Sequence, residues 1–354
     1  MPVFIGGIVL NDDVKNILLV RIDRIGDVIL SLPMLPLLKR RYPNARISIL
    51  MRQYTRELVE GHSCVDAVLV YEHEDSLRSL WANLREIRKR HFDIAIIPYP
   101  RFRPALILFF AGIPIRVGSG YRWYSFLFNR RVFEHRKDAK RHEVEYNLNL
   151  LRPLGIEAQG EPEFEFSIPP SVCDTVDSML AGNSVRLQDT FIILHPGSGG
   201  SSRDWRAENF SKLGNEVQRR LGAKIVVTGG KGEEILVQKV IADMTGSPLA
   251  VVGKLSLMEL GALIRRAKVF ISNSTGPMHI AAIVGTPVVA FFPPIVQCSP
   301  VRWGPYTHTQ KIFLADNKTC LLCKGLPCRS NVCMDQITVE EVFFAIKEFL
   351  DGHN

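Results

Sequence analysis

The chain has 354 residues, of which 46% are hydrophobic and 23% are charged, and this length and composition are typical of a globular protein with two domains. No run of eighteen apolar residues occurs, which argues against a membrane-spanning helix. The first ten residues are apolar but carry no basic leader or clear cleavage site, so we expect a cytoplasmic protein without a signal peptide. The net charge of +8 favours anionic partners such as phosphates, acidic lipids or nucleic acid.

Apolar runs alternate with amphipathic segments along the whole chain. In the first half, the pattern predicts strands at 17–22, 46–51, 67–71 and 92–98, and helices at 28–41 and 77–91. In the second half, it predicts strands at 191–194, 224–228, 249–252, 269–272 and 287–292, with helices at 207–221, 233–244, 257–267 and 278–284. Such alternation indicates βαβ units and parallel sheets.

A stretch rich in glycine, proline and glutamate at 155–170 is the best linker candidate. We therefore predict an N-terminal Rossmann-like domain at 1–170 and a second one at 185–336. The closing segment 337–354 has apolar residues at helical spacing and is expected to pack back on the first domain. Two such domains facing each other would form a cleft at the carboxyl ends of their strands, where ligands usually bind.

Two turns in the second half combine a strand end with a helix start. The first is Asn273-Ser274-Thr275-Gly276-Pro277-Met278-His279, and the second runs from His195 to Ser202 and contains three glycines. The N–H groups of Thr275 and Gly276, with the positive end of the helix dipole, suit a phosphate. His279 could donate to a phosphate oxygen, although a packing role is the alternative. Two turns of this kind suggest a ligand that carries a diphosphate.

Three further positions could carry chemistry. Asp27 comes after the first predicted strand and is either a helix N-cap or a carboxylate that takes a proton from an incoming hydroxyl. Arg203 could neutralise a phosphate by bidentate contact, or it could be a solvated surface residue. Glu233 or Glu234 could bind ribose hydroxyls, or could complement the dipole of the next helix.

Several common nucleotide motifs are missing. The chain has no G-x-G-x-x-G after its first strand, no G-x4-G-K-[ST] and no Asp-x-Asp pair. A classical dinucleotide site, a P-loop and a metal held by two such aspartates are therefore not expected. Arginine and helix ends would have to meet the charge of a diphosphate.

The segment 101–131 contains six arginines and no lysine, aspartate or glutamate, with aromatic residues interleaved. This pattern is typical of a nucleic-acid surface or of a face that meets an anionic membrane. The alternative is a core segment flanked by solvated arginines.

Four of the seven cysteines are clustered in the spacing C-x2-C-x4-C-x4-C, at Cys320, Cys323, Cys328 and Cys333. A dense cysteine cluster in a cytosolic protein favours a metal or redox role over disulfides. The spacing is tighter than the common two-knuckle zinc pattern. The two interpretations are a structural metal site and a loop of reduced thiols.

Three motifs in this order resemble the glycosyltransferase family 9 heptosyltransferases, which transfer heptose from ADP-heptose to the inner core of lipopolysaccharide. They are the stretch from Arg21 to Val28, the stretch His195-Pro196-Gly197-Ser198 with Arg203 and Trp205 after it, and the stretch from Asn273 to His279. The resemblance covers nearly the whole chain. It implies a GT-B fold with two Rossmann-like domains across a cleft, an inverting transfer, and no metal or other cofactor required for catalysis.

The resemblance also implies roles for particular residues. Asp27 would be the general base, and Arg203 would contact the diphosphate where the family usually has lysine. The donor would be bound by Ser201, Ser202, Glu233, Leu255, Ser274, Thr275, Gly276 and His279. The acceptor would be bound by Arg101, Lys140, Arg141 and His142. The implied partners are an ADP-sugar donor, a lipopolysaccharide core or lipid A precursor, and the inner face of the inner membrane as a peripheral contact, with no nucleic acid.

One departure from the family pattern bears on the donor sugar. Many members have aspartate where this chain has Ser274, so the reaction type is better supported than the identity of the sugar. Two alternatives remain open at the level of sequence. One is another nucleotide-sugar enzyme of GT-B architecture, such as a hydrolysing epimerase, and the other is a non-catalytic protein that binds anionic lipid or nucleic acid.

Overall fold

The computed structural model describes residues 4–5, 8–9, 13–72, 76–186, 188–316 and 332–352. The chain divides into two compact units. The first unit comprises Met1–Arg136 and Arg141–Ser167, and the second comprises Lys137–Lys140 and Ile168–Asn354. The division therefore falls between Ser167 and Ile168, with one short segment of the first half grouped with the second unit.

The first unit contains a six-stranded parallel sheet with the order β5-β4-β3-β6-β7-β8. Its strands are β3 (Asn16–Arg21), β4 (Arg46–Met51), β5 (Ala67–Val70), β6 (Ile94–Ile96), β7 (Ile115–Ser119) and β8 (Arg130–Val132). Before them, β1 (Phe4–Ile5) and β2 (Ile8–Val9) form an antiparallel pair. The helices are α1 (Ile25–Ile29), α2 (Met34–Arg41), α3 (Leu77–Arg88), α4 (Phe102–Phe110) and α5 (Glu143–Asn149).

The sequence pattern predicted one helix at 28–41, and this prediction is wrong. The structure has two helices there, α1 starting at Ile25 and α2 starting at Met34, with Pro33 as the residue that precedes α2. A proline has no N–H to donate and fixes its own φ, so it suits the start of a helix better than its interior.

The second unit contains another six-stranded parallel sheet, with the order β11-β10-β9-β12-β13-β14. Its strands are β9 (Phe191–His195), β10 (Lys224–Gly229), β11 (Leu249–Val252), β12 (Phe270–Asn273), β13 (Val288–Phe292) and β14 (Gln310–Leu314). Its helices are α6 (Pro170–Gly182), α7 (Ala207–Leu221), α8 (Glu234–Ala242), α9 (Leu257–Arg266), α10 (Gly276–Ile283), α11 (Pro300–Trp303) and α12 (Val339–Leu350).

The last helix, α12, contributes side chains to the core of the second unit. Its buried residues Val342, Phe343 and Ile346 belong to the hydrophobic core of the second unit. The guanidinium of Arg220 on α7 lies 3.7 Å from the centre of the Phe343 ring. The amphipathic face that the sequence indicated is thus buried against α7.

Each sheet has a topological switch point. In the first, β3 is central and the chain runs outward from it through β4 and β5, and then on its other side through β6, β7 and β8. In the second, β9 takes the same place between β10 and β12. In open α/β sheets, ligands bind outside the carboxyl ends of the strands at this point. The residues after β3 and β6, and those after β9 and β12, are therefore the expected places for function.

Candidate active site

In the first unit, a buried arginine organises the carboxyl end of β3. The side chain of Arg21, the last residue of that strand, is 1% exposed. Its Nε donates to the carbonyl oxygen of Asp27 over 2.9 Å, and its Nη2 lies 3.1 Å from Asp27 Oδ1. One guanidinium therefore holds both the main chain and the carboxylate of Asp27.

Two other carboxylates share this guanidinium. Arg21 Nη1 lies 3.5 Å from Asp23 Oδ2, and Nη2 lies 3.6 Å from Glu143 Oε1. Glu143 is itself buried and also pairs with Arg136. Burial raises the pKa of Asp23, and the positive charge of Arg21 opposes that rise. The cluster is a fully buried cation with three acids around it, a costly arrangement unless every charge is paired.

Asp27 has a structural role as well as a position suited to chemistry. It is not the N-cap of α1 but its third residue, and its Oδ2 accepts the N–H of Arg24, the N-cap, over 3.3 Å. Its side chain is 21% exposed, whereas those of Asp23 and Glu143 are 8% and 1% exposed. Among the three carboxylates around Arg21, Asp27 is thus the most accessible to a substrate hydroxyl.

The structure brings one of the predicted acceptor residues to this cluster. Arg101 comes after β6, is half exposed, and places Nε 3.9 Å from Asp23 Oδ1. Arg141 and His142 lie in the first unit, and His142 serves as the N-cap of α5, its Nδ1 accepting the N–H of Val144 over 3.3 Å. Lys140 is exposed and is grouped with the second unit.

In the second unit, the two glycine- and serine-rich turns are joined by hydrogen bonds. Asn273, buried at the end of β12, donates from Nδ2 to the carbonyl oxygen of Pro196 over 2.6 Å and accepts the N–H of Trp205 over 2.8 Å. Ser201 Oγ donates to the carbonyl oxygen of Ser274 over 3.0 Å. The turns after β9 and β12 therefore form one connected surface at the switch point.

Helix α10 begins at this surface. Thr275 is its N-cap, Gly276 its first residue and Pro277 its second, and Thr275 and His279 are 9% and 4% exposed. The first N–H groups of any α-helix lack partners within the helix. Pro277 has none to contribute, so the N–H groups of Gly276 and the residues after Pro277 are those that can meet an anion here.

Glu233 connects two glycine turns. Its Oε1 accepts the N–H of Gly199 over 3.2 Å, and its Oε2 accepts the N–H of Gly230 over 2.7 Å. A Cβ at Gly197 would lie 2.0 Å from Glu233 Oε1, so the carboxylate occupies space that only a glycine leaves open. Glu233 thus braces the turns after β9 and β10. Glu234, the first residue of α8, accepts the N–H of Gly232 over 3.1 Å.

Two titratable groups near Glu233 have strongly shifted pKa values. Burial lowers the pKa of His195 to about 4, so its imidazole is neutral near pH 7, and its Nδ1 lies 2.9 Å from Thr228 Oγ1. Burial raises the pKa of Asp204 to about 6, and a hydrogen bond with Ser198 partly opposes that rise. Shifted values are common at functional sites and support a ligand role for this edge.

Arg203 lies in the same loop and is only 9% exposed. Its charge opposes the rise that burial causes in the pKa of Cys298. Ser202 is half-buried and Ser201 is exposed. A cation this deeply buried contradicts the interpretation of Arg203 as a solvated surface residue, because burial without a role is costly.

The remaining predicted positions are more dispersed. Leu255 is half-buried in the turn after β11, and Lys254 is exposed. The next residue, Ser256, caps α9, since its Oγ accepts the N–H of Glu259 over 3.2 Å. Three of the clustered cysteines, Cys320, Cys323 and Cys328, lie outside the described residues, while Cys333 is a buried free thiol.

Two absences concern the described part of the chain alone. Within it, no group of three or more histidines, cysteines, aspartates or glutamates is arranged to hold a metal ion. Over the same residues, no helix combines the length and the apolar character needed to cross a bilayer.

Sequence reasoning missed the residues that organise the site. Arg21 ends an apolar strand, and this position is a usable signal, because a charged residue in such a place is buried only with partners. The sequence gives no comparable signal for Glu143 or Asn273, because their partners lie far along the chain. Glu143 pairs with Arg21, and Asn273 bonds to the main chain of Pro196 and Trp205.

Two six-stranded parallel sheets, each with candidate site residues at its switch point, give the chain the α/β architecture of the GT-B class. The family model described as "Glycosyltransferase family 9 (heptosyltransferase)" matches residues 80–333. The chain belongs to this family and is a glycosyltransferase.

Individual proteins are similar to this chain in sequence or in fold. Lipopolysaccharide heptosyltransferase 3 of Escherichia coli K12 is 25% identical, with 92% of this chain and 95% of that protein covered. The crystal structure of a glycosyltransferase family 9 member from Veillonella parvula has a TM-score of 0.82 at 23% identity, covering 95% and 97% of the two chains. The structure of E. coli heptosyltransferase WaaC with ADP has a TM-score of 0.71 at 17% identity, covering 95% and 100%.

Proposed function

We propose that this protein is an inverting heptosyltransferase that moves a heptose from ADP-heptose to the inner core of lipopolysaccharide without a catalytic metal. The family assignment supports glycosyl transfer, and the relatives named above support the donor nucleotide and the acceptor class. The observation that carries the mechanism is the partly exposed Asp27 carboxylate, held by Arg21 at the switch point of the first sheet.

Asp27 acts as general base in this proposal. As an acceptor hydroxyl attacks the anomeric carbon, its proton passes to the Asp27 carboxylate, and the bond from that carbon to the diphosphate oxygen breaks. A single displacement inverts the anomeric configuration. Arg21 is a positioning residue, since it binds the carboxylate and the main chain of the same aspartate and fixes its direction.

The second unit holds the leaving ADP in this proposal. The N–H groups at the start of α10 and the guanidinium of Arg203 would stabilise the negative charge that develops on the diphosphate. The proposed donor contacts lie in the two turns and in the first turn of α10. They are Ser201 and Ser202 after β9, and Ser274, Thr275 and His279 after β12. Glu233 and Leu255 would lie on the nucleoside side, with the bracing role of Glu233 limiting how far its carboxylate can turn.

The acceptor binds to the first unit in this proposal. Arg101 lies beside the carboxylate cluster and Arg141 lies in the same unit, so their charges could pair with phosphates of a lipopolysaccharide core or lipid A precursor. His142, whose Nδ1 accepts the N–H of Val144, could donate from Nε2 to the same group. Lys140 would join them. A nucleotide-sugar donor and a lipid-linked acceptor together favour action in the cytoplasm, with peripheral contact at the inner membrane.

A combined binding and product assay tests the proposal. Thermal shift with ADP, UDP and GDP should show the largest stabilisation with ADP, because a ligand stabilises the folded state it binds. Incubation with ADP-heptose and a lipopolysaccharide core acceptor should yield ADP and a heptosylated product, whose anomeric configuration by NMR is opposite to that of the donor. Release of free sugar, epimerised nucleotide-sugar or a retained configuration would contradict it.

A structural metal at Cys320, Cys323, Cys328 and Cys333 stays a prediction of the sequence. Elemental analysis of freshly purified protein tests it. One equivalent of zinc or iron that is lost in a Cys333→Ser variant would support the site, and metal-free protein would leave these residues as thiols or a disulfide.

A further inference from the structure

The first unit exposes a group of aromatic side chains at one edge of its sheet. Tyr99 and Phe102 come after β6, Tyr121 and Trp123 after β7, and Phe133 after β8. We call these five residues the aromatic shelf. Trp123 is 74% exposed and Phe133 61%, with the other three between 39% and 48%. Large apolar side chains gathered at one exposed place usually mark a binding surface.

The most exposed member of the shelf is held in a fixed orientation. The Trp123 and Phe102 rings are stacked, with their centres 4.8 Å apart. The ring of Tyr124 is perpendicular to that of Trp123, and the centres of these two rings are 5.3 Å apart. Tyr124 is buried and its hydroxyl donates to the carbonyl oxygen of Pro100 over 2.7 Å. Because Phe102 and Tyr124 already restrict the Trp123 side chain, it loses little conformational freedom when a ligand covers it, and this favours affinity.

The shelf is continuous with the carboxylate cluster. Phe102 is next in the chain to Arg101, whose Nε lies 3.9 Å from Asp23 and whose guanidinium lies 5.5 Å from the centre of the Tyr99 ring. Asp23 in turn pairs with Arg21, which holds Asp27. Contacts therefore lead from the proposed base, through two arginines, to Tyr99 of the shelf, and Phe102, on which Trp123 stacks, follows Arg101 in the chain.

The arginines nearby form a less basic face than the sequence suggested. Arg103 donates to Ser79 Oγ over 2.8 Å, and the Nε of Arg116 donates to the carbonyl oxygen of Leu127 over 2.8 Å. Both are used to hold the unit together. The ring of Phe109 lies under Arg116, which is near the amino end of β7, whereas the shelf lies at the carboxyl ends of the strands. The aromatic residues of 101–131 thus do not share one membrane-facing surface.

We propose that the aromatic shelf is a saccharide-binding subsite, in which a sugar ring of the acceptor adjacent to the one that accepts the heptose stacks on Trp123. The less polar C–H face of a sugar ring covers the indole, and anionic substituents of the same saccharide pair with Arg101 and the exposed Arg122. This inference rests on the proposed function, because it takes the acceptor of that reaction as the ligand.

The experiment compares Trp123→Ala with Phe110→Ala. Phe110 is 57% exposed in the same unit but lies at the end of α4, away from the shelf, so it controls for the loss of an exposed aromatic side chain. With a water-soluble acceptor oligosaccharide that has no acyl chains, Trp123→Ala should raise the acceptor KM about five- to tenfold, the range expected for one aromatic contact. Its kcat and its ADP affinity should stay near wild type, Trp123→Phe should recover most of the loss, and Phe110→Ala should change none of these.

Two results would overturn the inference. One is an unchanged KM for the soluble oligosaccharide in Trp123→Ala. The other is a loss seen only with acylated acceptor in anionic vesicles, which would assign the shelf to the membrane. Calorimetry of oligosaccharide binding to the protein without any donor sugar separates this inference from the proposed function. Saccharide binding that depends on Trp123 without heptose transfer would retain the subsite and reject the reaction.

Discussion

Both units contain a six-stranded parallel sheet, but the residues at the carboxyl ends of the strands have opposite chemistry in the two units. In the first, the switch point carries a buried cation and three carboxylates around Arg21. In the second, it carries glycine- and serine-rich turns, the start of α10 and a buried Arg203. One edge is suited to accept a proton, and the other is suited to bind an anion.

The difference shows how a single topology is specialised through its loops. Both central strands are buried apolar runs that end at the switch point, β3 in Arg21 and β9 in His195. The loop after each strand decides the chemistry. After β3 come acids fixed by an arginine, and after β9 come glycines whose backbone lies close to Glu233. Function in this fold depends on the residues just beyond the strand ends.

The largest expected effect comes from removing the proposed base. Asp27→Asn keeps an oxygen that can accept the N–H of Arg24, so α1 should still form, but the amide cannot take a proton. We expect kcat to fall about 10²- to 10⁴-fold, the usual contribution of general base catalysis. ADP binding should be unchanged, because it is assigned to the second unit.

Asp23→Asn is the matched control for this change, since Asp23 pairs with the same arginine. Its kcat should fall less than that of Asp27→Asn. Near-normal turnover of a folded Asp27→Asn protein, or a greater loss in Asp23→Asn, would show that the base is assigned to the wrong carboxylate.

A smaller effect is expected at the anion-binding edge. Arg203→Ala should weaken ADP binding about 10- to 100-fold, equivalent to the roughly 1.5–3 kcal/mol of a charge-assisted hydrogen bond. Titration calorimetry measures it. Arg206→Ala is the control, because Arg206 lies three residues away, is half exposed and pairs with Asp335. Equal losses in both variants would argue for a general charge effect and against a diphosphate contact.

The smallest expected effect is a pair of opposing contributions to stability in the second unit. The pKa of His195 is lowered from 6.5 to about 4, so between these pH values the unfolded state binds a proton that the folded state does not, and stability falls as pH falls. The pKa of Asp204 is raised from 3.8 to about 6, so in that window the folded state binds the extra proton and stability rises as pH falls. Glu233 faces both groups.

Single variants separate the two contributions. Urea unfolding at pH 4.5, 5.5 and 6.5 gives the free energy of unfolding for wild type, His195→Gln and Asp204→Asn. The wild-type advantage over His195→Gln should shrink by roughly 1–3 kcal/mol as pH falls, while that over Asp204→Asn should grow. Curves that run parallel to wild type at all three pH values would mean that neither group is shifted as described.

Much of the fold could be predicted because its strands are apolar in themselves. The bounds predicted for β4, 46–51, match those of the structure. By contrast, β8 reads Arg-Arg-Val and β14 starts with Gln-Lys, so neither has a strand pattern of its own. Their extended state depends on pairing with β7 and β13, which no local pattern reveals.

The sequence by itself determined the two turns that suit a phosphate, because a strand end, glycines and a helix start are neighbours in the chain. Only the tertiary structure decided that Glu143 joins Arg21 and Asp27 in one cluster, and that Glu233 braces the turns after β9 and β10. Ion pairs and braces depend on distances of a few ångströms between segments that are remote in sequence. Packing sets those distances, and composition and spacing do not contain them.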